Sequence, residues 1–271
     1  MERSELVAAV RGKSVGHSAA ESRFCFSSVT TDSRLVVPGS LFVPLVGTVQ
    51  NGHAYIPESL AKGASAVFIN ESEYSSDERS YALLAEKYPL VFFVIVSDTL
   101  YALQDAAAAY VAKFPRLKKI GITGSSGKTT TKELVSAVLS ERYNVLFTQG
   151  NFNNHIGVPK TLLRLNASHQ IAVIETGANH PGEIKLLSEI VDPDCGLITN
   201  VGKAHLAGFG SFEGVIRTKG ELYDYLRTKS GTFVFINADN PYLQPIAHDL
   251  SRITYGRPGK DYDVEGEVLS C

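Results

Sequence analysis

Short apolar runs alternate with longer amphipathic stretches over the second half of this chain. The runs are KKIGIT at 118–123, VLF at 145–147, IAVIE at 171–175, GLIT at 196–199 and TFVFI at 232–236. Between them, 128–143, 181–191, 212–226 and 240–249 carry apolar residues at helical spacing. Strand and helix in alternation predict a mostly parallel sheet flanked by helices. Residues 1–97 show the pattern on a smaller scale, with helices at 6–10 and 53–62 and strands at 41–47, 66–70 and 90–96. The polar, Ser-rich segment 71–79 predicts a surface loop, and the Ala- and Leu-rich stretch 99–114 a helix leading to the strand at 118–123. With the boundary at Ser97–Asp98, the chain is α/β in class: a small N-terminal α/β domain, 1–97, then a larger parallel-sheet domain, 98–271.

The strand at 118–123 runs into Gly124-Ser125-Ser126-Gly127, followed by Lys128-Thr129-Thr130 at the start of a helix. Small residues let consecutive backbone N–H groups converge on a phosphate, the helix N-terminus adds its partial positive charge, and a lysine can reach the terminal phosphates. Thr129 or Thr130 can then ligate magnesium. The common G-x-x-x-x-G-K-[ST] spacing would need Gly where Ile122 stands, so this is a shortened phosphate loop (P-loop) of an ATPase domain.

Ligands of such sheets bind at the carboxyl ends of the strands, which singles out the residues there. Gly150 to Gly157 is dense in side-chain amides (Asn151, Asn153, Asn154), which suit a carboxylate or peptide as well as a plain loop. Glu175 ends an apolar strand where a magnesium-binding acid would sit. Asn200 leads to His205, either a metal or phosphate ligand or a surface group. Lys219, followed by Gly220, reads from its helix alone as an exposed lysine; facing magnesium it would need its charge removed. Asn237 and Asp239 could meet adenosine or serve as a helix cap. In the first domain Asp32-Ser33-Arg34 offers an acceptor, a hydroxyl and a forked cation, suited to a phosphate or ribose or to a solvated turn. Gly47-Thr48 and Asn51-Gly52-His53 form a second polar turn that could face the same ligand.

A net charge of −2 gives no support to nucleic-acid or membrane-surface binding. Three widely spaced cysteines, Cys25, Cys195 and Cys271, indicate neither a disulfide framework nor a zinc site. No apolar run approaches a membrane span and the N-terminus has no signal-peptide pattern, so the expectation is a cytoplasmic protein.

Together, TGSSGKTTTKE, GNFNNHIGVPKTLLRL, ETGANHPGEI and NVGKAHLAGFGSFEGV resemble the Mur ligase family, the ATP-dependent amide-forming enzymes of bacterial cell-wall precursor synthesis. They resemble its MurF type most, and DSR-x3-PGSLFVPLVG resembles the uridine-nucleotide domain shared with the MurE type. The resemblance implies that D-alanyl-D-alanine is joined to UDP-N-acetylmuramoyl-tripeptide through an acyl phosphate. The MurE alternative would add a diamino acid. It implies ATP on Lys128 and the loop amides of Gly124 to Thr130, and two magnesium ions, with Thr129 and Glu175 on one and His205 near the other. It further implies a carbamylated Lys219, adenosine near Asn237 and Asp239, Asn154 beside the γ-phosphate, and the uridine-linked precursor near Ser33 and Arg34.

The family also has a C-terminal domain that closes over ATP and helps to bind the amine. Little chain follows Tyr255, and it ends in VEGEVLSC, so the expectation is a fragment that binds nucleotide but does not turn over alone. A non-catalytic precursor-binding module and an unrelated phosphate-loop kinase or ATPase are the competing classes.

Overall fold

The computed structural model describes every residue except 16–25, 203–205, 268, 270 and 271, and only the backbone of 206 and 207. His205, Cys25 and Cys271 therefore lie outside the described residues. The chain divides into two compact units, Met1–Lys113 and Phe114–Cys271. This moves the boundary from Ser97–Asp98 and gives the helix Thr99–Val111 to the first unit. The reason is its apolar face: Ala102, Leu103, Ala106, Ala107 and Val111 are buried, and the helix packs on the helix Arg3–Ala9 and the strand Ala66–Asn70.

The first unit is built on β1 (Lys13–Val15), β2 (Ser28–Thr30), β3 (Ser40–Phe42), β4 (Ala66–Asn70) and β5 (Phe92–Val96). Their order is β1-β5-β4-β3-β2, with only β1 antiparallel to its neighbour. Phe42, Ile56, Leu60, Val67, Ile69 and Phe93 form a core on one face. The strand expected over 41–47 ends at Phe42, because Pro44 has no N–H for a ladder. The chain then doubles back, with Gly52 N–H on Leu45 O and Gly47 N–H on Gln50 O, both at 2.8 Å. The surface loop expected at 71–79 is instead the helix Glu71–Ser76 and the start of the helix Glu78–Lys87, capped where Asp77 accepts the Ser80 N–H. Its polar residues mark an outer face, while Tyr74, Tyr81 and Leu84 reach the core.

The second unit has β6 (Lys118–Thr123), β7 (Val145–Phe147), β8 (Ile171–Glu175), β9 (Cys195–Ile198), β10 (Phe233–Asn237), β11 (Arg252–Gly256) and β12 (Val264–Glu265). All pairs are parallel, in the order β12-β11-β10-β9-β6-β8-β7. The chain leaves β6 toward β7 and β8 on one side and returns to β9 on the other. That reversal opens a crevice at the carboxyl end of β6, where the phosphate loop begins. Helices Lys128–Ser140, Glu183–Val191 and Phe212–Arg227 are close to expectation, but the helix expected at 240–249 shrinks to Leu243–Ile246. Among the described residues no helix is long and apolar enough to cross a membrane.

Tyr223, from Phe212–Arg227, ties two strands together beyond their last registered pair. It is fully buried; its hydroxyl donates to Phe235 O at 3.0 Å and accepts the Ile198 N–H at 3.4 Å. Tyr223→Phe leaves both backbone groups without that partner and is expected to cost about 1–3 kcal/mol in urea denaturation. An unchanged midpoint would contradict this account of the sheet.

Candidate active site

The phosphate loop owes its shape to two glycines and to the end of β9. Gly124 has φ +145° and Gly127 φ +75°, backbone conformations that disfavour any side chain. A Cβ on Gly124 would also lie 2.0 Å from Thr199 Oγ1. Asn200 braces the loop: its carbonyl accepts the Ser125 N–H at 3.1 Å, its Oδ1 accepts the Ser126 N–H at 3.0 Å, and its Nδ2 donates to Ser126 Oγ at 2.7 Å. Thr199 Oγ1 donates to Ser126 O at 2.6 Å. The helix Lys128–Ser140 follows at once, with its N-terminal N–H groups and positive dipole end at the loop. Lys128 Nζ donates to Gly124 O at 2.8 Å, and burial pushes its pKa down against the opposing field of Glu175.

Glu175, at the end of β8, is almost fully buried. Thr129 Oγ1 donates to its carboxylate at 3.0 and 3.3 Å, and Asn153 Nδ2 donates at 2.7 Å. Its N–H is held by Thr148 Oγ1 at 3.0 Å. Of the two threonines that could serve, Thr129 is the one whose hydroxyl meets the acid. A carboxylate beside a hydroxyl is a hard oxygen donor set that fits magnesium, an ion that keeps most positions for water and phosphate oxygens. Among the described residues no cluster of three or more His, Cys, Asp or Glu gathers.

Lys128, Asn153, Asn154, His155, Glu183 and Lys219 line a cavity of about 230 Å³. Lys219 is not the exposed lysine that its helix alone suggests. Only 2% exposed, it comes from the buried face of Phe212–Arg227, and burial and then the charge of Lys128 push its pKa down to about 8. Asn154 Oδ1 accepts the N–H groups of Ile156 and Gly157 at 3.1 and 2.8 Å, fixing the turn that presents it. Asn151 is exposed and does not line the cavity. Asn237 and Asp239 stand apart at the end of β10: Asn237 Oδ1 accepts the Asp239 N–H, and Asp239 Oδ2 the Arg257 N–H.

In the first unit, Asp32, Ser33, Arg34, Gly47 and Gln50 help to line a cavity of about 730 Å³. Arg34 Nε and Nη2 form a fork on Asp32, at 2.9 and 2.6 Å, which raises the arginine's pKa. Ser33 Oγ donates to Glu58 Oε2 at 3.2 Å. Thr48 is exposed and is not among the lining residues.

Two contributors carry little local signal of their role in the sequence. Lys132 is fully buried, donating to Thr148 O at 2.7 Å and Glu133 Oε1 at 2.5 Å; its signal is its place one helical turn after Lys128. Asn200 was legible only as a polar strand end, since bracing a distant loop leaves no local pattern.

Gly124→Ala forces a strained backbone worth about 1–3 kcal/mol and displaces Thr199. ATP affinity is expected to fall by about tenfold or more in calorimetry, with circular dichroism unchanged. Wild-type affinity would contradict the loop's role.

Residues 122–269 match the model of the Mur ligase middle domain, and residues 26–111 that of the Mur ligase family, catalytic domain. The UDP-N-acetylmuramoyl-tripeptide--D-alanyl-D-alanine ligase of Treponema pallidum is 41% identical over 253 residues, covering 93% of this chain and 52% of that protein. A crystal structure of MurF from Acinetobacter baumannii superposes with a TM-score of 0.79 at 31% identity, covering 95% of this chain and 54% of that one. MurF from Thermotoga maritima in complex with ADP gives a TM-score of 0.70 at 28% identity, covering 86% and 51%. The chain thus spans about half the length of the curated relatives it matches. With its shortened phosphate loop, strand-end glutamate and buried lysine on a matching fold, the chain belongs to the Mur ligase family.

Proposed function

We propose that this chain carries the precursor-binding and ATP-binding parts of a cytoplasmic ligase. The enzyme joins D-alanyl-D-alanine to the terminal carboxylate of UDP-N-acetylmuramoyl-tripeptide in peptidoglycan precursor synthesis. The observation that carries this reading is the meeting of Lys128, Lys219 and Asn154 around one cavity at the sheet's switch point, with Glu175 tied to Asn153 beside it. Relatives named for this reaction supply the substrate class.

In this reading the amides of Gly124 to Thr130 and Lys128 hold the β- and γ-phosphates, and Asn237 and Asp239 lie toward adenosine. Thr129 and Glu175 would hold magnesium, which neutralises phosphate charge when bound. Asn154 orients the precursor carboxylate, whose oxygen attacks the γ-phosphorus as ADP leaves. The dipeptide amine then attacks the acyl carbon, and phosphate departs. Asp32, Ser33 and Arg34 hold the uridine-linked end of the precursor in the first unit.

Lys219 fits carbamylation. Its depressed pKa, about 8, leaves a sizeable neutral fraction near neutral pH, and that amine can attack the carbon of CO2 and release a proton. The product is an anion, which removes the repulsion from Lys128 and supports a second magnesium, for which His205 is also a candidate.

Phosphate release tests this function, measured with ATP, magnesium, UDP-linked tripeptide and D-alanyl-D-alanine. It is run on this chain and on a version extended at its C-terminus with the corresponding segment of a relative. The extended protein should turn over only with both substrates present, and this chain should not. ATP hydrolysis by this chain regardless of either substrate would contradict the ligase reading.

A further inference from the structure

A chain of hydrogen bonds, buried at Asn70 and Thr99, ties both ends of segment 44–53, which helps to line the cavity of Asp32 and Arg34. β4 ends at Asn70, whose Oδ1 accepts the Thr99 N–H at 2.7 Å; Thr99 Oγ1 donates to Pro44 O at 2.5 Å. At the other end the Asn70 N–H donates to His53 Nε2 at 2.9 Å. His53 Nδ1 is 2.8 Å from Asn51 Oδ1, and Asn51 Nδ2 donates to Glu73 Oε1 at 2.8 Å. A backbone N–H can only donate, so Nε2 must be the bare nitrogen, and Nδ1 carries the proton given to Asn51. Between the two ties lie Leu45, Gly47 and Gln50, which line the cavity, whereas His53 does not and is buried.

We propose that His53 is a positioning residue for the uridine-linked precursor: its neutral ring pins segment 44–53 against β4 in the shape that binds the ligand, and protonation releases it. This rests on the reading of that cavity given above. A second ring proton at Nε2 would set donor against donor at Asn70, and the freed N–H would be buried without a partner. Glu73 faces the ring from the helix Glu71–Ser76 and favours the cation, and Asp77 and Tyr81 share the groove that His53 lines. Burial outweighs Glu73 and holds the histidine below its ordinary pKa of 6.5, while Tyr81, pushed up to about 12, stays neutral. The pinned state is therefore complete above the unfolded-state pKa and is lost as pH falls through the folded value.

Calorimetry with UDP-N-acetylmuramoyl-tripeptide tests this, because its diphosphate diester keeps one charge state across the range in which His53 titrates. At about pH 7.5, His53→Gln, which retains an acceptor but cannot titrate, should bind as wild type does. His53→Leu should bind about tenfold more weakly with ATP affinity unchanged. Wild-type affinity in His53→Leu, or an equal loss toward ATP, would overturn the proposal. So would an Nε2–H tautomer in the ¹⁵N spectrum. Wild type should lose precursor affinity below the His53 pKa read from that spectrum while His53→Gln stays flat; parallel profiles would overturn it. A wild-type chain that binds no precursor at any pH overturns the reading of the cavity instead. The pinning is then decided by amide exchange at Gly47 and Gly52: faster exchange in His53→Leu than in His53→Gln supports it, and equal rates overturn it.

Discussion

A buried carboxylate is the constraint on which the second unit's site depends. Taking Glu175 out of water costs several kcal/mol unless its oxygens are engaged, and here Thr129 and Asn153 engage them. Those two bonds come from different parts of the chain, the first turn of the phosphate-loop helix and the amide-rich loop after β7. Thr148, whose hydroxyl holds the Glu175 N–H, is itself held by Lys132 from the same helix. One charge thus fixes the helix, strand and loop that surround the reacting groups.

The cavity above this carboxylate has the opposite problem. Lys128 and Lys219 both face it, and burial disfavours the charge of each. In the proposed reading phosphate oxygens pair with Lys128, and loss of charge at Lys219 removes the repulsion. The same matching of polar groups operates in the first unit, where Asp32 holds Arg34 and His53 Nε2 accepts the Asn70 N–H. In both units, side chains that do not line the cavity, Lys132 and Asn200 in one and His53 in the other, also hold the backbone near it.

Much of this was legible in the sequence because it is local. The strand and helix periods of 118–236 follow from apolar spacing, and Gly124, Gly127 and Lys128 announce the loop through conformational freedom and charge. Glu175 could be picked out as a strand-end acid. What escaped depends on tertiary context: the burial of Lys219, the bracing by Asn200 and the support from Lys132. The helix Thr99–Val111 reads locally as the start of the second unit, because its packing partners in the first lie far away in sequence. Segment 71–79 misled because its polar residues describe the outer face of two helices, whose tyrosines do the packing.

The most direct test of the central claim, that Glu175 organises a magnesium-dependent ATP site, is calorimetric titration of ATP with and without magnesium, on wild type and on Glu175→Gln. Magnesium should strengthen binding to wild type and have little effect on the variant, whose amide has the shape of the acid without its charge. Equal magnesium dependence in the two proteins would contradict the account.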